Sequence, residues 1–296
     1  MSTDDFIISA FCLIDDAFNK LQLPKLRSRG KVPELADSEV ITMEIVGEFL
    51  GYDEDKKIWQ YFKTHWSHFF PSLPVRTTFV RQAANLHAIK RLLQEHLSKP
   101  LGAGGDSLHI VDGMPMPICK FARAHFSKIF KGQAAYGYCA TKKERYYGFR
   151  GHVVVNSIGA ITSAAFTAAN IDERDVCPEL VASLKGLLLG DKGFIRPEMQ
   201  KMFADNGLHL QTPVRKNMRE KRARWFLRWM GGIRRLIETV IGQLAERFHI
   251  EKVRARDLWH QSSRFWRKLL VHTVCVKLNI QLGNEPLQFE RLLMTG

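Results

Sequence analysis

Apolar positions in the first hundred residues recur with helical spacing. Residues 6–17 place apolar side chains three and four positions apart, and residues 40–49 repeat the pattern after a possible cap at Asp37 or Ser38, as in amphipathic helices. A further helix is predicted over residues 76–97, after the turn signal PSLP. The pattern therefore predicts a small all-helical domain over residues 1–100, with a boundary near Pro100.

The last predicted helix of this domain allows two interpretations. It carries Arg76, Arg81, Lys90 and Arg91, which would face DNA if this is the recognition helix of a helix-turn-helix motif. A plain three-helix bundle predicts the same pattern, and the domain's near-zero net charge argues against DNA binding. The hypothesis to be tested is that the domain binds DNA ends through Arg76 and Arg81.

After residue 100 the pattern changes to short apolar strands that alternate with helices. The predicted strands are HIVDGMP, FRGHVVVN, AITSAAFT, LLLGDKGF and LHLQTPV, and the helices are VCPELVASLKG, RPEMQKMFADNG and residues 232–248. Asn170 and Asp172, before the first of these helices, are interpreted as a turn and a helix cap rather than as support for a metal site. This order predicts an α/β domain over residues 101–296, with a mixed sheet flanked by helices.

Two predicted strands share one design, because each delivers an aspartate followed closely by glycine. Asp112 ends HIVDG and Asp191 follows the leucines of LLLGDKG. Ligands of α/β sheets bind at the carboxyl ends of strands, so the two carboxylates converge if the strands are neighbours. Adjacent carboxylates repel unless a cation lies between them, and oxygen ligands suit Mg²⁺. The alternative is that each aspartate merely caps a turn.

A third acid lies on the predicted helix over residues 232–248. Its apolar side chains form one stripe, and Glu238 lies at the edge of that stripe with Arg234 one turn earlier. An ordinary surface ion pair explains this spacing equally well for the helix alone. With two aspartates in need of a third ligand, we interpret Glu238 as part of the same site.

Charge adds a candidate partner. The chain carries 44 basic and 30 acidic side chains, but residues 1–98 hold 12 and 13 of them, so the excess lies in the remainder. Residues 214–235 hold nine basic residues and one acid, which favours phosphate binding over a merely solvated face. The predicted DNA contacts there are Arg215, Lys216, Arg219, Lys221, Arg222 and Arg224. Trp225 and Trp229 in this segment are assigned to core packing, with stacking on DNA bases as the alternative.

The remaining features exclude several classes of protein. No apolar run reaches the roughly 18 residues of a membrane span, and the first residues, MSTDDF, are acidic, unlike a secretory signal. The five cysteines contain no C-x-x-C pair, which predicts neither a disulfide framework nor a zinc site. We expect a cytoplasmic protein without membrane contact.

Five segments together resemble the DDE transposases of bacterial insertion sequences. They are VDGMP at Asp112, YYGFRGH at 146–152, LLLGDKGF at Asp191, TPVRKN at 212–217 and RRLIETVIGQL around Glu238. The similarity covers nearly the whole chain, and the closest match is the insertion sequence 982 family. Two residues depart from the pattern. Gly113 replaces an expected serine, a change expected to be harmless, and Ala245 stands where a related family has a lysine that grips the DNA end.

The resemblance implies a ribonuclease-H-like catalytic fold. It implies that Asp112, Asp191 and Glu238 hold two Mg²⁺ ions, with Mn²⁺ as a substitute, and it suggests that His152 contacts DNA, with sheet packing as the alternative at that strand. Lys192, next to Asp191, is predicted to bind a phosphate, with a solvent-facing side chain as the alternative, and Arg234 is a further predicted DNA contact. The expected activity is cleavage at element ends followed by transfer of the 3′-hydroxyl into target DNA. The expected partners are end DNA and target DNA, bound by a homodimer or larger assembly.

Two other functions remain open from the sequence. A metal-dependent nuclease of the same fold would share the three acids and lack strand transfer. A non-catalytic DNA-binding protein derived from a transposase is disfavoured, because all three acids are present.

Overall fold

The computed structural model describes residues 1–22, 32–103, 105–140 and 142–293. Its helices are α1 (Thr3–Leu21), α2 (Asp37–Phe49), α3 (Asp55–His65), α4 (Arg76–Asn85), α5 (His87–Ser98), α6 (Phe121–Ala124), α7 (Glu173–Leu180), α8 (Pro197–Asp205), α9 (Arg224–Gly242) and α10 (Leu258–Gln281). Its strands are β1 (Leu108–Lys120), β2 (Ala135–Cys139), β3 (Glu144–Asn156), β4 (Ile161–Ala168), β5 (Gly186–Leu189) and β6 (Leu208–Gln211). No helix of the described ranges is long and apolar enough to cross a membrane.

The chain forms two compact units. One comprises Met1–Leu97 together with Leu244–Gly296, and the other is Ser98–Gln243. The predicted division near Pro100 placed residues 244–296 with the sheet, whereas in the structure they belong to the helical unit. The reason lies in α10, which packs against α2 and α4.

The helix predicted over residues 76–97 is divided at Leu86 into two helices, α4 and α5. The break leaves the carbonyl of Ala83 without its helical partner. That carbonyl accepts hydrogen bonds from the Leu86 amide at 3.2 Å, from Lys90 Nζ at 3.0 Å and from Ser263 Oγ at 3.1 Å. Side chains of α5 and α10 therefore satisfy the backbone at the break.

A buried network of ion pairs joins the helices of this unit. Lys90 Nζ bonds Glu44 Oε1 at 2.7 Å, and Lys268 Nζ bonds both oxygens of Glu48 at 2.9 Å. Arg267 donates to Glu48 Oε1 at 2.8 Å and to Asp55 at 2.6 Å. Lys90 is fully buried, so the expectation that it faces DNA is wrong. Its charge is used to satisfy acids in the interior, where an unpaired carboxylate would be costly.

The second unit is built on one mixed sheet. Its order is β2-β3-β1-β5-β6, with β4 also paired to β3. Strand β3 is antiparallel to β1, β2 and β4, while β1, β5 and β6 run parallel. This order, with helices between the parallel strands, is that of the ribonuclease-H-like fold, and the predicted fold class is confirmed. The short strand β2 was not predicted.

The hydrophobic core of this unit lies between the sheet and helices α7 and α8. Val111 of β1 and Leu188 of β5 pack with Cys177 of α7 and Phe203 of α8. The core fixes the position of β1 relative to β5, and those are the two strands that carry the predicted aspartates.

Candidate active site

Asp112 lies in β1, and Asp191 lies two residues beyond the end of the neighbouring strand β5. Strands β1 and β5 are parallel neighbours with Ile110 opposite Leu189, and each aspartate follows two residues after that pair. Asp112 is not at a strand end as predicted, because β1 stays paired with β3 as far as Lys120. It lies instead where β5 ends, so the two carboxylates occupy the carboxyl edge of the parallel strands.

Backbone amides hold both carboxylates. Asp112 Oδ1 accepts a hydrogen bond from the Gly113 amide at 2.8 Å. Asp191 caps the short 3₁₀ turn Lys192–Phe194, and its Oδ1 accepts from the Gly193 amide at 2.6 Å. The turn-capping alternative is thus realised at Asp191 without removing its carboxylate from the vicinity of Asp112.

Glu238 comes from α9, which packs against β1. The helix begins at Arg224, eight residues before its predicted start. Glu238 is exposed, and its charge acts on Asp112 together with that of Arg234 one turn earlier. The third acid and its neighbouring arginine therefore lie within electrostatic range of the first.

The electrostatics of the site disfavour further negative charge. Burial raises the pKa of Asp112 to about 6, although the Gly113 amide and Arg234 act in the opposite direction. The charges of Asp191 and Glu238 add to the rise. A bound cation would therefore stabilise the ionised form of Asp112.

Glu173 is a fourth acid that the sequence interpretation missed. It is the first residue of α7, directly after the N-cap Asp172, and its Oε1 accepts a hydrogen bond from Arg150 Nη1 at 2.9 Å. Burial raises the pKa of Glu173 to about 7, Arg150 opposes that rise, and Asp112 and Asp191 add to it. The sequence predicts a turn and a helix cap at Asn170 and Asp172, and Asp172 does cap α7. The signal for Glu173 is an acid in the first helical turn after an edge strand.

Gly113 provides the space that Glu173 occupies. A Cβ atom at position 113 would lie 2.7 Å from Glu173 Oε1, well inside van der Waals contact. The glycine found in place of serine is therefore matched to its surroundings, because a side chain there would displace the Glu173 carboxylate.

The donor set fits a hard divalent cation in its chemistry. Asp112, Asp191 and Glu238 supply carboxylate oxygens, which Mg²⁺ prefers, and Asp112 is stabilised by added positive charge. In the described ranges no group of three or more histidine, cysteine, aspartate or glutamate side chains is arranged to hold a metal ion. Asp191 and Glu238 thus act on Asp112 by their charge, without a closed ligand set among the described residues.

A cleft of about 1430 Å³ opens beside Asp112 and Asp191. Acids and arginines line part of its wall, with Glu173, Arg145, Arg150, Arg174 and Arg215 among them. Aromatic side chains of α6, β2 and β3 line another part. The cleft is large enough for a segment of a polymer and carries both charge signs.

The predicted DNA contacts of residues 214–235 differ in their surroundings. Arg215 lines the cleft, Lys192 and Arg234 line a smaller cavity of about 380 Å³, and the exposed basic side chains are Lys216, Arg219, Lys221 and Arg224. Arg222 is the exception, because it donates to Glu220 Oε2 at 2.7 Å, to Gln211 Oε1 at 2.9 Å and to the Thr212 carbonyl at 2.9 Å. These bonds tie its guanidinium to the loop, and its role as a DNA contact stays a prediction.

His152 also requires correction. It is 1% exposed in the middle of β3, and its Nε2 lies 2.9 Å from Thr167 Oγ1. Burial lowers its pKa to about 4, so the ring is neutral at physiological pH. A neutral, enclosed imidazole has no contact with DNA to offer and is part of the core.

The assignment of Trp225 and Trp229 to core packing is wrong. Trp225 is 70% exposed and Trp229 is 38% exposed. Both precede the buried part of α9, and Phe226 contacts the two indole rings at centroid distances of 5.8 and 5.6 Å. The tryptophans pack on this phenylalanine at the surface, because the first turns of the helix extend beyond the core.

Arg76 and Arg81 are exposed residues of α4 in the helical unit. They line a cavity of about 740 Å³ together with the half-exposed Trp259. The structure therefore keeps both arginines available to a ligand, unlike Lys90.

Comparisons with known proteins show similarity to a family model and to a solved structure. The model described as "Transposase DDE domain" matches residues 103–258, a range that contains Asp112, Asp191 and Glu238. No curated protein matches. The chain is also similar to a structure described as "Cryo-EM structure of piggyBac transposase synaptic complex with hairpin DNA", at 10% identity and a TM-score of 0.49, with 97% of this chain and 76% of that chain covered.

Proposed function

The chain belongs to the transposase DDE domain family, whose model matches more than half of it, and from this premise we propose that it cleaves DNA at element ends and joins the freed 3′-hydroxyl to target DNA. The element would be an insertion sequence of the bacterial type, and the motifs favour the 982 family. The reaction is a phosphoryl transfer in which water and then the DNA 3′-hydroxyl serve as nucleophile.

One observation carries the proposal. Asp112 of β1 and Asp191, two residues beyond the end of the neighbouring strand β5, line one cleft, and Glu238 of α9 acts on Asp112 by its charge. These observations support a site of three carboxylates from separate elements, next to a cleft of about 1430 Å³.

These three acids would hold the divalent ions that the family implies. Two bound Mg²⁺ ions would supply activation of the attacking oxygen and stabilisation of the leaving oxygen. Mn²⁺ has the same preference for carboxylate ligands and would substitute.

The chain's own residues orient the acids and the DNA. The amides of Gly113 and Gly193 fix the carboxylates of Asp112 and Asp191. Arg215 in the cleft and Lys192 next to Asp191 would bind phosphates on either side of the scissile bond. The exposed Lys216, Arg219, Lys221 and Arg224 would add salt-sensitive affinity for the DNA backbone, and Arg76 and Arg81 would contribute to recognition of the end.

Glu173 and Arg150 are assigned to positioning. Their ion pair, at 2.9 Å, sets the Glu173 carboxylate against Gly113 and next to the Asp112 side of the site.

The proposal is tested by strand transfer. Purified protein is mixed with Mg²⁺, a target plasmid and DNA fragments made from the sequences that border its coding region, and joined products are sequenced. We expect joined ends for the wild type and none for Asp112→Asn. At least a dimer is expected on paired ends, which light scattering of the DNA complex would measure.

The same assay separates the alternatives. Cleavage without joining would identify a nuclease of the same fold. Binding without cleavage at any divalent ion concentration would identify a DNA-binding protein and overturn the proposed catalysis.

A further inference from the structure

Three aromatic side chains stand exposed in the cleft that holds Asp112 and Asp191. They are Phe121 at 49%, Tyr136 at 50% and Tyr138 at 52% exposure, and all three line the cleft. Aromatic side chains bury large apolar areas when they find a partner. A group of them left open beside charged residues marks a binding surface.

The pairing of the sheet sets where this surface lies. Tyr136 stands opposite Tyr147 and Tyr138 opposite Arg145, while Asp112 stands opposite Val153. Because side chains alternate along a strand, positions 145, 147 and 153 of β3 share one face. The two tyrosines therefore lie on the same face of the sheet as Asp112.

The separation along β3 fits a nucleic acid strand. Six residues divide the pairing positions of Tyr136 and Asp112, which is about 20 Å at the rise of a strand. This is about six base steps at the 3.4 Å rise of duplex DNA, and fewer where the strand is stretched. Bases up to about six steps from a phosphate bound at Asp112 therefore come within reach of the Tyr136 ring.

Two of the three rings, those of Phe121 and Tyr136, are supported by neighbouring aromatic side chains. Phe121 and Tyr136 contact each other at a centroid distance of 5.4 Å, and Tyr136 contacts the buried Tyr147 at 5.5 Å. The hydroxyl of Tyr147 donates to the Phe130 carbonyl at 3.0 Å. These contacts restrain the Phe121 and Tyr136 rings before a ligand binds, which lowers the entropic cost of binding.

The charges around the rings favour DNA over a protein partner. The exposed Arg145 and Arg215 line the same cleft and provide cations for phosphates. Open aromatic rings combined with basic side chains form the usual stacking platform for unpaired bases. A paired duplex presents its bases only at the ends, so the platform suits an opened strand.

We propose that Phe121, Tyr136 and Tyr138 form a stacking surface for unpaired bases near the cleavage point of the element end. The proposal rests on the proposed transposase function and extends it. Stacking of the released bases on the protein would offset part of the free-energy cost of melting the terminal base pairs.

Fluorescence of 2-aminopurine in DNA bound to the full chain tests this surface. The probe is a forked duplex with 2-aminopurine in the unpaired strand, compared with the fully paired duplex of the same sequence. Wild-type protein should quench the probe on the fork, because stacking on tyrosine quenches its emission. The double variant Tyr136→Ala/Tyr138→Ala should lose the quenching and bind the fork about five-fold or more weakly, with unchanged affinity for the paired duplex.

Two controls make the outcome specific. Tyr136→Phe/Tyr138→Phe keeps the rings and should quench as the wild type does. Phe126→Ala removes an aromatic that is 81% exposed and does not line the cleft, so it should change nothing. If the wild type binds the fork and the alanine variant quenches equally well, the stacking surface is wrong and the transposase function stands. If the protein binds neither DNA, both proposals fail.

Discussion

Asp112 occupies a position that disfavours its own charge. Its pKa is raised to about 6 chiefly by burial, whereas an unfolded chain ionises aspartate near pH 4. Between these values the folded protein binds the proton that the unfolded chain has lost. Stability from this residue is thus full below about pH 4 and is lost as the pH rises through about 6.

Replacement of Asp112 by asparagine should therefore stabilise the protein at neutral pH. Without divalent ions, Asp112→Asn should raise the free energy of unfolding at pH 8 by up to about 3 kcal/mol and leave it unchanged at pH 4. Denaturant melts across this pH range measure the effect. Added Mg²⁺ should stabilise the wild type and not the variant. An equal gain at both pH values would contradict the electrostatic origin.

Glu238 and Glu246 provide a matched pair of variants. Both are exposed, but Glu246 belongs to the π-helical turn Gln243–Arg247, eight residues on and about 12 Å further by helical rise. Glu238→Gln removes the charge that faces Asp112, so cleavage and joining should fall by orders of magnitude while DNA binding survives. Glu246→Gln should stay active in the same assay. A dead Glu246→Gln with an active Glu238→Gln would show that the acids are wrongly assigned.

The fit between Gly113 and Glu173 predicts a rescue. Gly113→Ala places a methyl group 2.7 Å from Glu173 Oε1, so the carboxylate must leave Arg150 and the site must shift. We expect joining to fall about ten- to hundred-fold, with weaker thermal stabilisation by Mg²⁺. Glu173→Asp in the same chain shortens the side chain and should restore part of both. If the second substitution brings no recovery in either measurement, the contact does not position the site.

At the scale of elements, the basic segment before α9 divides into two roles. Arg222 is tied to Glu220, Gln211 and the Thr212 carbonyl, while Arg219, Lys221 and Arg224 are exposed. The triple variant with alanine at the exposed positions should weaken DNA binding and flatten its salt dependence by about one unit of slope per lost phosphate contact. Arg222→Ala should lower the melting temperature with little change of slope. Binding isotherms over a salt series would contradict this assignment if Arg222→Ala had the larger effect on slope.

Elements whose hydrophobic pattern agrees with their burial in the fold could be predicted from the sequence. The other elements depend on contacts with residues far away in the chain. The leucines before Asp191 indicate a buried strand by themselves, and its neighbour β1 shows the same pattern. Strand β2 is short and carries the exposed Tyr136 and Tyr138, so alternation gave no sign of it. Trp225 and Trp229 were assigned to the core because tryptophan is usually buried, but helical spacing does not reveal where a helix leaves the core.

At the scale of the whole molecule, two residues show why the domain division could not be predicted from the sequence. Lys90 lies in a basic helix and appeared available to DNA, yet its partner Glu44 lies 46 residues earlier. Arg267 pairs with Glu48 across 219 residues. Nothing local in the sequence signals such pairs, so the place of residues 244–296 in the helical unit could not be read from their pattern. The three acids could be predicted as one site because each has a local pattern and the family resemblance joined them.

The helical unit yields the last prediction, which concerns recognition of element ends. Removal of residues 1–98 is not a usable test, because it strips α10 of its partners and leaves the buried charges of Arg267 and Lys268 unpaired. Arg76→Ala/Arg81→Ala in the full chain tests it instead, since both side chains are exposed and their loss should barely change the melting temperature. We expect this variant to lose its preference for end DNA over random DNA in competition binding at fixed salt. The reason is that contacts to bases determine sequence specificity, whereas contacts to phosphates only position the protein on DNA. The variant lacking Arg219, Lys221 and Arg224 should lose affinity for both DNAs alike. Undiminished preference in the double variant would move end recognition away from α4.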